Sequence, residues 1–269
     1  MILNPLDAPT LRDRFLRGEP FPHVVIDNFL DPHKAHEAFE QYPVFDDAVR
    51  AGRGFANLHE RAKAQVSDSS RFPEKVSAIH EALAAPEFLE QLSEITDIPD
   101  LIADPSMCGG GMHIHEAGGA LDVHVDFNML VESELYRRLN LIVYLTPDWQ
   151  DEWEGCFELW DPAVKRCFHR VSPQFNRCMI FRTSETSFHG VGATRTPPGV
   201  MRRSFSAFYY TATPPPWSTG AAHDTIYRAR PSEHLKRHLQ MPLLAARNKF
   251  RARRHAAKQQ IKSWLLRDA

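Results

Sequence analysis

The sequence of 269 residues is poor in cysteine and has no long apolar run. Its four cysteines show no Cys-x-x-Cys spacing, which indicates neither a zinc knuckle nor a disulfide framework. No apolar stretch approaches the roughly 20 residues that cross a bilayer, and the first residues lack the apolar centre of a signal peptide. We therefore expect a cytoplasmic protein with reduced thiols and no transmembrane segment.

A strong net charge is also lacking, because 32 Lys and Arg residues nearly balance 34 Asp and Glu residues, for a net charge of −2. The charge is nevertheless unevenly distributed. Residues 228–269 carry 12 Lys and Arg against only Glu233 and Asp268, a charge of +10, which leaves −12 for residues 1–227. Such a shift predicts a boundary near residue 228. The chain length suits one domain over 1–227, followed by a basic helical extension over 228–269.

The first hundred residues predict mainly helices. Asp31-Pro32 follows an apolar run at residues 21–30 and is typical of a helix N-cap and first turn. Apolar residues recur near helical spacing from 73 to 96, with Pro86 as an interruption. The small and polar residues of 46–71 predict a loop with at most a short helix. We expect a helical part over about 1–105.

From about residue 106 the sequence changes to short runs bounded by Gly, Pro, Asp and Asn. Turn signals such as AGGA and TPPG between these runs are typical of an antiparallel sandwich or jelly roll. The predicted fold class is mainly β with flanking helices (α+β), with a jelly-roll core over about 106–212 that the N-terminal helices buttress, plus a basic C-terminal helix. The candidate strands are residues 112–116, 121–127, 139–145, 156–160, 166–170, 177–182 and 204–211.

The segment LDVHVDF, residues 121–127, carries the motif that indicates chemistry. Alternate side chains of a strand share a face, so His124 and Asp126 point the same way. The opposite face then carries Val123, Val125 and Phe127. An imidazole and a carboxylate so placed can hold one metal ion, and a third ligand from a distant strand completes the two-histidine, one-carboxylate triad of non-haem Fe(II) oxygenases. One His-x-Asp match is expected by chance in roughly every such chain, so a salt-bridged histidine on a half-exposed strand is the alternative interpretation.

A second group of polar residues lies far enough along the chain for several strands to intervene. His189, in SFHGVG, lies 65 residues beyond His124. The run RRSFSAFYY after it alternates, so one strand face would carry Arg202, Ser204, Ser206 and Phe208. Arginine pairs a carboxylate through two hydrogen bonds, and serine hydroxyls beside it add donors. His189 is therefore the candidate third ligand, and Arg202 is the candidate anchor of a dicarboxylate.

Taken in order, these segments resemble the 2-oxoglutarate/Fe(II)-dependent dioxygenases, specifically the prolyl 4-hydroxylase-like branch. The resemblance covers residues 20–227 and rests on HVD, LNLIVYLTPDW, EGCFELWD, FHGV and RRSFSAFYYT. It implies a double-stranded β-helix fold, with Fe(II) as cofactor, 2-oxoglutarate and O2 as cosubstrates, and ascorbate as an optional reductant. The implied reaction hydroxylates an unactivated C–H bond and releases succinate and CO2.

The resemblance also implies roles for individual residues. The implied iron ligands, and thus catalytic residues, are His124, Asp126 and His189. Arg202, rather than Arg203, is the implied partner of the distal carboxylate of 2-oxoglutarate. Further cosubstrate contacts are implied for Tyr144, Asn140, Ser204 and His115, the last of which stands where some relatives have a tyrosine.

Two features depart from the family pattern. The family commonly has two glycines where this chain has Gly155 followed by Cys156. The interval of 13 residues from His189 to Arg202 is longer than in many members, with TPPG at residues 196–199 as the insertion. Neither departure touches the implied triad, whereas both lie near the implied contacts to 2-oxoglutarate.

Other functions stay open at this point. A non-catalytic jelly-roll protein that binds a metal or ligand is the competing class, although the complete ligand set and the arginine favour an enzyme. A cupin-type site at His113 and His115 is disfavoured because the next acids, Glu116 and Asp122, are poorly placed. Hydroxylation is the expected outcome, with desaturation and cyclisation as alternatives. Halogenation is disfavoured, because Asp126 stands where halogenases have a small residue. The primary substrate can be a small molecule, a carrier-bound intermediate or a protein side chain.

The basic end has an apolar stripe at helical spacing, formed by Leu243, Ala246, Phe250, Ala257, Ile261 and Trp264. The favoured interpretation is a C-terminal helix that docks on the protein's own acidic surface. The alternatives are attachment to an anionic membrane surface through residues 243–265, or to an acidic partner. Nucleic acid is not an expected partner, because the segment has no known nucleic-acid motif.

Overall fold

The computed structural model describes residues 2–218 and 220–247. The chain divides into two compact units, Met1–Tyr227 and Arg228–Ala269. The helices of the first unit are α1 (Ala8–Leu16), α2 (Pro32–Gln41), α3 (Phe45–Ala51), α4 (Glu74–Ala84) and α5 (Pro86–Thr96). Within the described ranges, no helix has both the length and the apolar character needed to cross a bilayer.

Strands make up most of the chain after α5. In chain order they are β1 (His23–Ile26), β2 (Arg53–Phe55), β3 (Glu60–Val66), β4 (Ile102–Ala103), β5 (Gly111–Val125), β6 (Met129–Leu130), β7 (Leu135–Tyr144), β8 (Phe157–Trp160), β9 (Cys167–Val171), β10 (Cys178–Arg182), β11 (His189–Val191), β12 (Arg202–Thr211) and β13 (Ile226–Arg228). The main path of the curled antiparallel sheet is β1-β10-β7-β12-β5-β11-β8-β9. The hairpin β2–β3 joins it through β5, β4 joins through β12, and β6 joins through β7.

Local sequence signals explain where the helices begin. The Asp31 carboxylate accepts hydrogen bonds from the backbone N–H groups of His33 and Lys34, at 3.0 and 3.1 Å, and Pro32 occupies the first turn of α2. Pro86 takes the same position in α5, which is why the helical pattern of residues 73–96 is two helices rather than one.

The helices α4 and α5 cover one face of the sheet with their apolar sides. Their buried residues are Val76, Ile79, Leu83, Phe88, Leu92 and Ile95. They belong to one core with Phe205 and Tyr209 of β12, and the Tyr209 hydroxyl donates to the Leu83 carbonyl at 3.1 Å. Full burial of such a side chain is worth about 1.5–3 kcal/mol. The opposite face of the same strands is therefore free to line a cavity.

The alternation of β12 separates the core from that cavity. Arg202, Ser204, Ser206 and Phe208 line the cavity, whereas Phe205, Ala207 and Tyr209 lie in the helix-covered core. On β7, Asn140 and Ile142 line the cavity, while the alternate residues Leu139, Leu141 and Val143 lie in the same core as Phe205. Two neighbouring strands thus present polar side chains inward.

The predicted fold class is confirmed, and two local predictions are wrong. For residues 46–71 a loop with at most a short helix was predicted; the short helix α3 agrees with this, but the β2–β3 hairpin was not expected. These short, polar strands lack apolar alternation, because they lie at the rim of the sheet and one of their faces lines the cavity. The AGGA segment is not a turn, since β5 continues through it. A side chain at Gly119 would meet the carbonyl oxygens of Glu116 and Ala62 at 2.7 and 2.9 Å, so the glycine permits β3 to approach β5.

In the second unit, residues 234–247 are helical and contain a π-helical turn at Lys236–Gln240. Pro242 follows this turn after Met241. Proline has no N–H to continue the helical pattern and clashes with the preceding turn, which accounts for the locally widened helix. Most of the predicted stripe at 243–265 falls outside the described residues, so helix docking stays a prediction.

Candidate functional site

The sheet brings His189 close to His124 and Asp126. His189 of β11 lies directly opposite His124 of β5, and their ring centroids are 4.3 Å apart. Asp126 follows the end of β5, and its two carboxylate oxygens each lie 3.4 Å from one imidazole Nε2 atom. One possible ligand atom from each of the three side chains lies within 4.8 Å of the others. Within residues 2–218 and 220–247, this is the single group of three such side chains able to hold a metal ion.

Backbone carbonyls orient both imidazoles. His124 Nδ1 lies 2.8 Å from the Asp122 carbonyl, and His189 Nδ1 lies 2.9 Å from the Ser187 carbonyl. A carbonyl only accepts, so each Nδ1 donates a proton to it, and each Nε2 is the nitrogen that faces the Asp126 carboxylate. Burial lowers the pKa of His189, and His124 adds to this effect, which favours the neutral ring. Both histidines are therefore arranged as metal ligands before any metal binds.

The Asp126 carboxylate is held from the other side by a buried pair of residues. Asn140 Nδ2 donates to Asp126 Oδ2 at 2.7 Å, and Arg137 Nη2 lies 3.4 Å from the same oxygen. Arg137 Nε in turn donates to Asn140 Oδ1 at 2.9 Å. Burial alone would raise the pKa of Asp126, but Arg137 and then His189 hold it well below its usual range. The carboxylate is thus ionised and fixed in orientation.

Two aromatic rings hold Arg137 in place. Its guanidinium carbon lies 3.7 Å from the ring centroid of Phe208 and 4.6 Å from that of Phe127. Phe127 was predicted to share a face with Val123 and Val125, and that prediction is wrong. β5 ends at Val125, so the two-residue period stops there and Phe127 turns into the cavity instead.

A cavity of about 530 Å³ extends from the three candidate ligands to Arg202. Arg202 is 2% exposed, its Nε donates to the Gly155 carbonyl at 2.9 Å, and its guanidinium carbon lies 4.9 Å from the Tyr144 ring centroid. Arg203 projects from the opposite face of β12, with its guanidinium carbon 5.1 Å from the Phe39 ring centroid. The strand register thus brings Arg202, and not Arg203, to the cavity.

Several buried polar atoms beside Arg202 have no hydrogen-bond partner in the described part of the chain. They include both ring nitrogens of His115 and the Tyr144 hydroxyl. His115 lies opposite Arg202 on β12 and opposite Lys63 on β3. Burial, and then Arg202, hold the pKa of His115 well below its ordinary value, so the ring is neutral and offers one donor and one acceptor. Burial also raises the pKa of Tyr144 to about 12.

The structure places every residue that the sequence singled out. His115, Asn140, Arg202 and Ser204 line the cavity with the triad, whereas Tyr144 lies beside Arg202 without lining it. Asn140 is turned toward Asp126. Both departures from the family pattern are accommodated. Gly155 has φ +66 and accepts the Arg202 hydrogen bond, while residues 197–199 form an exposed turn.

Sequence reasoning missed several cavity residues, among them Arg137, Lys63 and Tyr227. Arg137 is one, although a charged residue inside the run LYRRLNLIVYL signals a buried partner. Lys63 lies on the strand that was not predicted, and its Nζ pairs with Glu60 Oε1 at 2.7 Å. Tyr227 stacks on His59 at 4.1 Å, and its ring centroid is 5.6 Å from that of His124. No feature of the local sequence distinguishes Tyr227.

Comparison with known proteins now bears on this site. Residues 110–210, which hold all three candidate ligands and Arg202, match the sequence profile of the 2OG-Fe(II) oxygenase superfamily. These residues belong to that superfamily. The predicted resemblance and the predicted class, an Fe(II)/2-oxoglutarate-dependent dioxygenase, are thereby confirmed. No curated protein matches the chain.

Solved structures of this superfamily share the fold. A prolyl hydroxylase from Trichoplax adhaerens, solved with a hypoxia inducible factor oxygen degradation domain peptide fragment, is similar with a TM-score of 0.53 at 16% identity, over 75% of this chain and 89% of that one. A prolyl-4-hydroxylase from Pseudomonas putida is similar with a TM-score of 0.52 at 14% identity, over 76% of this chain and 98% of that one. At such identities the similarity establishes the fold of this 2OG-Fe(II) oxygenase and not its substrate.

Proposed function

We propose that the protein is a 2-oxoglutarate- and O2-dependent non-haem Fe(II) hydroxylase. It would oxidise an unactivated C–H bond of its substrate, with release of succinate and CO2. The observation that carries the proposal is the pairing, in one cavity, of a preoriented triad with a buried arginine. Membership of residues 110–210 in the superfamily supports it.

The donor set fits Fe(II). His124, Asp126 and His189 offer two imidazole nitrogens and one carboxylate oxygen, which is the combination of non-haem Fe(II) oxygenases. Both rings donate from Nδ1 to a backbone carbonyl, which leaves each Nε2 toward the candidate metal position, and Asp126 is ionised. When bound, Fe(II) supplies the activation of O2 that couples decarboxylation of 2-oxoglutarate to oxidation of the substrate.

The opposite end of the cavity fits the distal carboxylate of 2-oxoglutarate. We assign this carboxylate to Arg202, because a planar guanidinium donates two parallel hydrogen bonds to a carboxylate. Ser204 lines the same face of β12, and His115 faces Arg202 from β5. The unpartnered Tyr144 hydroxyl and the unpartnered N–H of His115 support this assignment, since buried polar groups in native proteins are normally paired and a bound dicarboxylate would accept from both donors.

Asn140 is given a different role from the predicted cosubstrate contact. Its amide is occupied by Asp126 and by Arg137. We propose that Asn140 and Arg137 fix the orientation of the Asp126 carboxylate, as residues that hydrogen-bond a metal ligand do in other metalloproteins. Their part in the reaction is to keep the iron-binding atoms in place.

The substrate would enter from the side of the β2–β3 hairpin. Residues Arg53, Phe55, Lys63 and Gln65 line that part of the cavity, and Tyr227 covers His124. These residues would exclude water once a substrate is bound. A small molecule, a carrier-bound intermediate and a protein side chain are all compatible with such a rim. Ascorbate is the reductant that we propose to include in assays.

The test compares binding with turnover. Calorimetry without oxygen would measure binding of Mn(II), and then of 2-oxoglutarate, while succinate release in air with Fe(II) and candidate substrates would measure turnover. We expect the protein to bind both and to release succinate. His124→Ala should lose metal binding and turnover, whereas His33→Ala, at an exposed position of α2, should keep both. Binding without any Fe(II)-dependent succinate, whatever the substrate class, would support the non-catalytic binding protein instead.

A further inference from the structure

An apolar face of the helix at residues 234–247 is open to solvent. Leu235, Leu239 and Leu243 are 62%, 50% and 60% exposed. Their spacing of four residues places them along one side of the helix. Single exposed leucines are ordinary on protein surfaces, but three in line form a continuous apolar strip.

The same helix carries only positive charge. Residues 234–247 contain no Asp or Glu. Arg237 and Arg247 are exposed, and neither forms an ion pair with any residue of the described part of the chain. Lys236 differs, because it is 6% exposed and its Nζ lies 2.9 Å from Glu233 Oε1. Arg247, four residues beyond Leu243, therefore lies beside the leucines, while Arg237 adds positive charge elsewhere on the helix, and residues 234–247 supply no compensating acid.

The sequence continues both properties beyond the described residues. Phe250, Ala257, Ile261 and Trp264 keep the apolar spacing, and residues 248–269 add further Lys and Arg residues. Residues 228–269 as a whole carry a charge of +10.

We propose that the helix at residues 234–247 docks the protein on an anionic lipid surface. An exposed leucine strip on a helix whose charged side chains are all positive satisfies both requirements of such a surface, since leucines enter the boundary between headgroups and acyl chains while cations are attracted to the acidic headgroups. Nucleic acid would use the arginines but leave the leucines in water. A second copy of the helix would cover the leucines but would bring like charges together. The proposal goes beyond the hydroxylase function and does not depend on it.

The experiment uses the full chain and vesicles of phosphatidylcholine, with and without phosphatidylserine. Co-sedimentation at low and high salt would measure the bound fraction. We expect binding to the vesicles that contain phosphatidylserine, weaker binding at high salt, and little binding to phosphatidylcholine alone. Absence of binding to the anionic vesicles at low salt would overturn the proposal, as would equal binding to both kinds of vesicle.

Two variants and their matched controls locate the surface. Leu239→Asp should lower the partition coefficient by about tenfold or more, while Leu16→Asp, at a 40% exposed leucine of α1, should change it much less. Joint replacement of Arg237→Glu and Arg247→Glu should also lower it by about tenfold or more, in contrast to Arg61→Glu with Arg166→Glu at exposed sites of the first unit. The thermal midpoint and succinate release should stay unchanged in all four proteins.

Other occupants of the surface would give other outcomes. Leucine-dependent self-association in the absence of lipid, without vesicle binding, would overturn the proposal in favour of a second copy of the chain. Salt-sensitive binding to DNA that Leu239→Asp leaves unchanged, without vesicle binding, would overturn it in favour of nucleic acid. Equal loss of vesicle binding in Leu239→Asp and Leu16→Asp would also overturn it, because the strip would then have no special role.

Discussion

The two ends of the cavity differ in how their polar atoms are satisfied. At the triad, each Nδ1 has a carbonyl and Asp126 has Asn140. Around Arg202, the Tyr144 hydroxyl and both nitrogens of His115 are buried without a partner in the described part of the chain. A buried polar atom without a partner costs about 1–3 kcal/mol. At the triad the protein itself therefore supplies the hydrogen-bond partners, whereas around Arg202 a bound ligand would supply them.

The largest expected effect comes from removing one of the three candidate metal-binding side chains. His124→Ala or His189→Ala should weaken Mn(II) binding by more than about 100-fold, because loss of a ligand must exceed the cost of losing a residue that supports one. Fe(II)-dependent succinate release should disappear with it. Asp126→Asn is the third variant, since asparagine removes the carboxylate but keeps a side-chain oxygen that can accept a hydrogen bond beside the buried Arg137. Circular dichroism should show a folded protein in each case. Turnover like that of the wild type would remove the residue in question from the triad.

The next largest effect should come from the end of the cavity around Arg202, where a bound ligand would supply the missing hydrogen-bond partners. Arg202→Ala should weaken 2-oxoglutarate binding by about 2–5 kcal/mol, because a buried carboxylate would lose its charge partner. Mn(II) binding without 2-oxoglutarate should stay the same, which separates the two ends. Arg203→Ala is the matched control on the opposite face of β12. A larger effect of Arg203→Ala on the dissociation constant would show that the proposed assignment of the two arginines is reversed.

A smaller effect should follow from a substitution that removes a hydrogen bond to Asp126 but keeps all three candidate metal-binding side chains. Asn140→Ala takes away the 2.7 Å hydrogen bond to Asp126 and should lower Mn(II) affinity by about 10- to 100-fold. Ser204→Ala, at the other end of the cavity, should leave Mn(II) affinity unchanged. Calorimetry of both variants distinguishes the two roles of Asn140. Unchanged metal affinity with weaker 2-oxoglutarate binding would restore the interpretation of Asn140 as a cosubstrate contact.

The smallest effect concerns a single hydroxyl. Tyr144→Phe keeps the ring beside Arg202 and removes an oxygen that has no partner in the ligand-free protein. The free energy of unfolding without ligand should therefore stay the same or rise by up to about 1 kcal/mol, while 2-oxoglutarate binding should weaken by about 1 kcal/mol. Urea unfolding and calorimetry measure the two quantities. A lower free energy of unfolding without ligand would contradict the difference between the two ends of the cavity, because it would mean that the Tyr144 hydroxyl already has a hydrogen-bond partner.

Much of this arrangement was accessible from the sequence where periodicity and chemistry agree. The alternation in β12 correctly separates Arg202 from Arg203, since nearly every second residue of that strand is a buried apolar one. The capping signal at Asp31 and the break at Pro86 locate α2 and α5. The His-x-Asp spacing and the later His189 predict three side chains that the sheet does bring together.

The remainder depends on long-range geometry. The register of β5 against β11 shifts between the pairs His124–His189 and Leu121–Val191, so the strand carries a bulge there. That bulge is why both Leu121 and His124 line the cavity, although a regular strand would place them on opposite faces. The pairing of Arg137 with Asp126 depends on how β7 lies relative to β5, since β12 separates the two strands in the sheet. Tyr227 lies over His124 from a segment far along the chain.

The exposed turn at residues 197–199 has a consequence for how such sites are recognised in other chains. His189 is held by its strand partner His124, and Arg202 by its strand partner His115. The 13 residues between His189 and Arg202 therefore do not set the distance between the two side chains in space, and the turn can absorb a change of length. A search pattern for this kind of site should leave that interval free, and should instead require the two cross-strand pairs.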